Sequence, residues 1–260
     1  MCTLSVHHTQ ADVLVKMNRD EMIARAPESP PVISRSGDGV TWIAPKDGEK
    51  GGTWMGANDR GVVACLLNFY QPGESLLPDP EGRYRSRGEI IPLALSHGSD
   101  DAVVSWLLES FDPTAYPSFD LHVISAQAMR RFIWLKKGPL ELMEIDEKWC
   151  VYSSSGWDSG DVIRWRDARF REWIERGEPK SGHLPTFHIL QEQGHEDRSP
   201  LMTRDWSTTR SITQVQFAPG GGELTMRYWP HPQPDSQAPE TSDSLPLVAA
   251  GAAPLKAKAP

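Results

Sequence analysis

Met1-Cys2-Thr3-Leu4-Ser5-Val6, followed by Asp12-Val13-Leu14-Val15-Lys16-Met17-Asn18-Arg19-Asp20-Glu21, is the stretch whose reading sets the architecture. Thr3–Val6 and Val13–Met17 are β-rich and alternate, with the polar connection His7–Asp12 between them, so they read as a hairpin. Antiparallel pairing returns the end of the second strand, Asn18–Glu21, to the start of the first, beside Cys2. Cysteine is small enough to permit removal of a preceding initiator methionine. Cys2 would then carry both a thiol and a free α-amino group. That amine titrates near pKa ~7.7–8.0, so at neutral pH it can take the thiol proton, putting nucleophile and general base on one residue. The competing reading is a small buried cysteine filling a core.

Outward from this hairpin, composition narrows the class. The chain has 260 residues, enough for one large core or two small ones. A net charge of −8 leaves no basic footprint for nucleic acid. No apolar run approaches the ~18 residues of a membrane span, so stable membrane insertion is not expected. No basic segment followed by an apolar stretch opens the chain, so no secretory signal is expected. Three cysteines, Cys2, Cys65 and Cys150, are too few and odd in number for a disulfide scaffold. They point to a reducing, cytoplasmic compartment.

Ala26–Pro31 reads as a stiff extended loop, and Val32–Ile43 as short strands broken at Asp38-Gly39. Val62–Tyr70 is a nearly continuous apolar run containing Cys65, the pattern of a strand covered on both faces. Helical spacing follows over Arg87–His97 and Asp101–Phe111. Four runs, Asp120–Ser125, Arg131–Lys136, Glu141–Ile145 and Lys148–Ser153, are joined by short polar turns and read as an antiparallel meander. Asp161–Arg176 is a long helix stopped by Gly177, with Val162, Trp165, Phe170, Trp173 and Ile174 as its apolar face. Leu184–Gln191 reads as a further short helix. A closing hairpin, Ser211–Ala218 and Glu223–Trp229, turns at Pro219–Gly222. Beyond residue 229 there is no aromatic residue and proline recurs, so 1–229 is expected as the folded domain and 230–260 as a disordered tail. The element order indicates α+β with antiparallel sheet.

Asn18-Arg19-Asp20-Glu21, Gly51-Gly52-Thr53-Trp54-Met55-Gly56, Arg60-Gly61, Leu67-Asn68-Phe69-Tyr70 and Arg85-Ser86-Arg87-Gly88-Glu89 occur in that order. Over roughly residues 1–230 the chain resembles the NRDE family, also known as the transport-and-Golgi-organisation family. That family is in turn similar to cysteine N-terminal-nucleophile hydrolases, which implies a four-layer αββα sandwich of two antiparallel sheets.

The resemblance also implies site residues. Choloylglycine-type amidases carry Arg-Asn-x-Asp at the end of their second strand. Asn18 and Asp20 match it, and Asp20 would hydrogen-bond the α-amino group. Arg19 falls one place past Asn18, on the other face of the strand, and a surface ion pair with Glu21 is its plainer reading. Asn68 is the oxyanion candidate, with a strand-end turn residue as the alternative. The second asparagine of those amidases is absent from Tyr152–Trp157, where a serine hydroxyl could substitute. Arg210 falls where a further active-site arginine is expected, or in a plain turn.

Gly51–Trp54 could border a ligand pocket or precede a strand. Arg83, Arg85 and Arg87 could bind an anion or form a solvated face. The histidines lack ligand spacing, so neither a metal nor another cofactor is expected. Two functions follow from the resemblance. One is hydrolysis of a non-peptide amide or thioester of a small acyl compound. The other is non-catalytic binding or trafficking of haem or acyl-CoA/lipid ligands.

Overall fold

The computed structural model describes residues 2–71, 82–177, 186–236 and 238–248. Strands β1 (Cys2–His8), β2 (Val13–Met22), β3 (Ser29–Arg35), β4 (Thr41–Lys46), β5 (Met55–Asn58) and β6 (Val63–Asn68) open the chain. Helices α1 (Ile90–Leu95) and α2 (Asp100–Glu109) follow. Then come β7 (Phe119–Ile124), β8 (Met129–Trp134), β9 (Glu141–Ile145), β10 (Trp149–Ser154) and α3 (Ser159–Glu175). The last strands are β11 (Ser207–Phe217), β12 (Glu223–Pro230) and β13 (Thr241–Pro246). They form a six-stranded sheet ordered β10-β1-β2-β11-β12-β13 and a seven-stranded sheet ordered β3-β4-β5-β6-β7-β8-β9. Neighbouring strands are antiparallel in both.

Strand alternation builds the layers. Cys2, Leu4 and Val6 of β1, with Val13, Val15 and Met17 of β2, point inward and meet Met55, Cys65 and Leu67 of the facing sheet. Ala64 and Leu66 of β6 point the other way, onto Ile90, Ile91, Leu95, Val103 and Leu107 of α1 and α2. β6 is therefore buried on both faces, as its apolar run requires. The outer face of the β1 sheet is polar: Thr3, Ser5, Lys16, Asn18 and Asp20 are all buried there. It is covered by α3 and by the chain around His188–Pro200 through hydrogen bonds. Helices thus flank two facing antiparallel sheets, an αββα sandwich.

Four local expectations change. The meander has three strands, not four: β10 leaves β9 and pairs with β1 in the other sheet. β9 buries almost nothing and ends its sheet, whereas Cys150 of β10 packs into the core between the sheets, with Tyr152 against it. The loop Ala26–Pro31 gives way to β3 at Ser29, and Pro30 and Pro31 fall within a register shift. An edge strand tolerates them because their missing N–H groups would face no partner. Part of the segment expected to be disordered is ordered: β13 pairs with β12 and buries Leu245. The free edge of β12 supplies the backbone partners that the segment's sequence does not announce; residues 249–260 lie outside the described residues. Thr186–Ile189 form turns, not helix, because Phe187 and His188 point into separate buried clusters. Leu184 and Pro185 lie outside the described residues.

Candidate active site

Cys2 begins β1 with neighbours on both sides, opposite Arg19 of β2 and Ser154 of β10. It is only 8% exposed. It nevertheless lines a cleft of about 660 Å³ between the two sheets, with Arg19, Asp47, Thr53, Trp54 and Asn68 also on the wall. Its nitrogen donates to Ser154 Oγ at 3.1 Å. Burial pushes the thiol above the ordinary cysteine range. The positive chain terminus, the Arg19 guanidinium and a main-chain hydrogen bond of Asp20 act in the opposite direction, while the Asp20 charge adds to the rise. A base must therefore supply most of the activation.

The motif Asn18–Glu21 is divided by strand alternation. Arg19 points into the cleft on the Cys2 side and is buried, so it is not a surface ion pair. Its Nη2 lies 2.6 Å from Asp47 Oδ2, and its Nη1 lies 3.2 Å from Glu28 Oε2. Its guanidinium carbon stands 4.5 Å from the centre of the Trp54 ring, and Glu21 is a looser partner at 3.5 Å. Asp47 also takes two bonds from Arg25. Burial works to raise the Asp47 carboxyl, but the hydrogen bonds from Arg25 and the Lys50 backbone, with the charges of Arg25 and Arg19, hold it at about 2. Arg210 joins this network: a β-bulge between Thr209 and Ser211 re-aims it, placing Nη2 3.4 Å from the same Glu28 oxygen that Arg19 uses. Arg19 and Arg210 thus converge on Glu28.

Asn18 and Asp20 point to the outer face. Asn18 Oδ1 is 2.6 Å from His188 Nδ1, and its amide donates to the carbonyls of His188 and Pro200. The Asp20 carboxylate accepts from Thr209 Oγ1 at 2.7 Å and Arg166 Nη2 at 3.1 Å. The backbone nitrogen of Cys2 donates to Ser154 Oγ; the Asp20 contact implied by the resemblance concerns a free α-amino group on Cys2. Burial holds His188 well below the ordinary histidine range, so it is neutral, and it drives Lys16 down to about 7. Sequence reading missed His188 and Arg166. The available signal was Asn18 and Asp20 themselves, polar side chains alternating into a buried face that need partners.

Asn68 ends β6 at the cleft and donates through Nδ2 to the Tyr70 hydroxyl at 2.9 Å. Gly52 and Gly88, from two separate motifs, lie against each other, with Thr53 N donating to Gly88 O at 3.0 Å. The close approach at Gly52 is thus to backbone, while Thr53 and Trp54 carry that motif onto the cleft wall. Arg85 pairs with Glu89, and Arg87 donates to Ser118 O; both line the cleft. Among the described residues no three His, Cys, Asp or Glu side chains cluster to hold a metal ion, and no helix is long and apolar enough to cross a membrane.

A second polar group between the sheets also escaped the sequence reading. Asp120 lies 3.1 Å from His122 Nε2 and takes two bonds from Arg131 at 2.7 and 2.8 Å. Burial acts to raise its carboxyl, but His122 and Arg131 outweigh burial and hold it at about 2. Its folded pKa lies below the unfolded ~3.9, so its stabilisation is complete above that value and is lost as the pH falls toward 2. This group is expected to withdraw on the order of 2 kcal/mol over that interval. Urea titrations at pH 6 and pH 2.5 should show a smaller drop in Asp120→Asn than in the wild type; equal drops would reject the assignment.

With this geometry in view, known proteins give context. A solved N-acylethanolamine-hydrolyzing acid amidase ortholog from Caenorhabditis elegans superposes with a TM-score of 0.53 at 10% identity, covering 82% of this chain and 92% of that one. Penicillin V acylase from Agrobacterium tumefaciens superposes at 0.52 with 13% identity, covering 89% and 83%. At such identities the likeness establishes the fold alone, the αββα sandwich of two antiparallel sheets. The human Transport and Golgi organization protein 2 homolog is 27% identical over 110 residues, 42% of this chain and 37% of that protein. A Mus musculus homolog is 28% identical over 88 residues, 34% of this chain and 30% of its own. The matched stretch therefore spans about a third of the length of these relatives. The family model described as Transport and Golgi organisation 2 matches residues 1–229, and the chain belongs to that family.

Proposed function

We propose that this protein is a cysteine N-terminal-nucleophile hydrolase cleaving a non-peptide amide or thioester of a small acyl compound in the cytoplasm. The observation that carries this reading is the place of Cys2: it starts a strand paired on both sides, opens onto the inter-sheet cleft, and has its nitrogen held by Ser154. The amidase and acylase names belong to the structural neighbours, and they support an acyl-transfer reading of the shared fold.

With Met1 removed, the Cys2 amine takes the Sγ proton and the thiolate attacks the substrate carbonyl carbon. Asn68 Nδ2 donates to the developing oxyanion, a contact of the kind worth about 2.7–4 kcal/mol. The ammonium passes its proton to the departing amine or thiol, leaving a thioester on Cys2. Water, deprotonated by the same amine, then releases the acid and restores the thiol. Arg19, Arg210 and their carboxylates hold the cleft wall beside the thiol, and Asn18 and Asp20 fix the strand that carries Arg19. A panel of acyl amides and acyl thioesters is expected to contain a substrate whose turnover falls by at least about 10³-fold in Cys2→Ala.

The second reading, binding or trafficking of a haem or acyl-CoA/lipid ligand without turnover, is favoured by the raised thiol and by the engagement of Asp20 with Arg166. Stoichiometric binding of a ligand with no turnover across the panel would establish it in place of the first.

A further inference from the structure

The Cys2 cleft shares Asn68 with another cavity. The other, of about 320 Å³, lies along β10 and includes Asn68, Asp120, Arg131, Tyr152 and Ser154 in its wall. Asn68 borders both cavities, and Ser154 carries the contact to the Cys2 nitrogen. An acyl compound has a group on each side of its scissile bond, and two cavities meeting beside the nucleophile offer one place for each.

Arg131 has donor capacity to spare in the second cavity. Its Nε and Nη2 bind the two Asp120 oxygens at 2.8 and 2.7 Å, and its guanidinium carbon lies 4.8 Å from the centre of the Tyr152 ring. These contacts fix the plane of the guanidinium, while Nη1 makes no hydrogen bond among the described residues. The side chain keeps 21% of its surface exposed, on the cavity it lines. Asp120 has its oxygens committed to Arg131 and His122. The wall therefore offers a rigid donor to a ligand, and an unfilled donor calls for an acceptor.

We propose that this second cavity is the subsite for the substrate half across the scissile bond, and that Arg131 Nη1 selects there for an acceptor oxygen, carboxylate or amide carbonyl. Tyr152, under Arg131, and Ser154, beside Cys2, are two positions apart on β10, an offset of roughly 7 Å. The acceptor therefore belongs on the order of five or six bonds from the reacting carbon.

The inference rests on Cys2 being the nucleophile, and its test separates the two claims. Three probes that alkylate a thiol, forming an Sγ–C bond and expelling bromide, are compared by peptide mapping: N-bromoacetyl-β-alanine, its methylamide, and N-bromoacetylpropylamine. The first two carry an acceptor at the required reach and the third does not. Both acceptor probes are expected to modify Cys2 about tenfold faster than the propyl probe, the gain of a hydrogen bond to a charged donor. Arg131→Met should bring that ratio to about one. Arg131→Lys keeps a charge opposite Asp120 should the methionine variant fail to fold. It should cut the ratio at least about threefold, since an ammonium cannot reproduce the planar fork. Equal rates for the three probes in the wild type, or a ratio that survives both substitutions, would overturn the subsite. Failure of every probe to modify Cys2 ahead of Cys65 and Cys150 would overturn the nucleophile, and the subsite with it.

Discussion

Arg166→Met is expected to destabilise the protein by about 3–5 kcal/mol, the effect of stripping a buried charge of its partner. Arg166 is 1% exposed at the centre of α3. It donates to Asp20, to Thr3 Oγ1 and to the carbonyls of Arg198 and Ser199. One side chain therefore ties the helix layer to β1, to β2 and to the segment carrying His188. Methionine fills much of the volume but removes the Arg166 side of the buried ion pair, leaving the Asp20 carboxyl group without that guanidinium. Urea denaturation monitored by tryptophan fluorescence measures the loss directly. Adding Asp20→Asn should recover part of it, because the acidic group that Arg166 pairs with is then gone. A change below about 1 kcal/mol in the single variant would show that the outer polar layer does not fasten α3 to the sheet.

Gly52→Ala carries the second large effect, through backbone alone. A Cβ on Gly52 would stand 2.6–2.8 Å from the carbonyl carbon, oxygen and Cα of Gly88. No side chain can rotate away to relieve that overlap, so the two segments must separate. The expected cost is about 1–3 kcal/mol or more, with the Thr53–Gly88 hydrogen bond stretched or broken. Thr53 and Trp54 line the Cys2 cleft, so the rate of Cys2 alkylation should change as well. Gly98→Ala is the control: a Cβ there meets nothing within 4 Å, and stability should stay within about 0.5 kcal/mol. Equal behaviour of the two variants would contradict the packing account of these glycine motifs.

The sequence was informative wherever local pattern decides the outcome. Alternation in Thr3–Val6 and Val13–Met17 located the first hairpin, and the two-sided apolar run from Val62 identified the buried strand β6. Partner choice between strands was not legible. β10 follows β9 after a short turn, exactly the signature of a hairpin, yet pairs with β1, since pairing is settled by long-range burial of Cys150 and Tyr152. β13 was hidden for a similar reason: its sequence has little to bury, and its order comes from the open edge of β12.

At the site, Cys2, Arg19 and Asn68 line the cleft, and Arg210 meets Arg19 behind it at Glu28. The face assignment was the difficulty. Matching Asn18 and Asp20 to a motif fixes their spacing but does not say which face of β2 Cys2 shares. The register Cys2 to Arg19 answers that: the arginine side chain goes into the cleft, while those of Asn18 and Asp20 go to the outer face. Arg166 was invisible because an arginine one place after Trp165 on an amphipathic helix looks solvated; only the unpaired needs of Thr3 and Asp20 draw it inward.

The most direct test of the central claim is the intact mass of the purified protein, followed by peptide mapping after a limiting dose of iodoacetamide near neutral pH. The account predicts loss of Met1 and modification of Cys2 well before the buried Cys65 and Cys150. Retention of Met1 would leave Cys2 without a free α-amino group, and the proposed base with it, so that result would contradict the hydrolase mechanism.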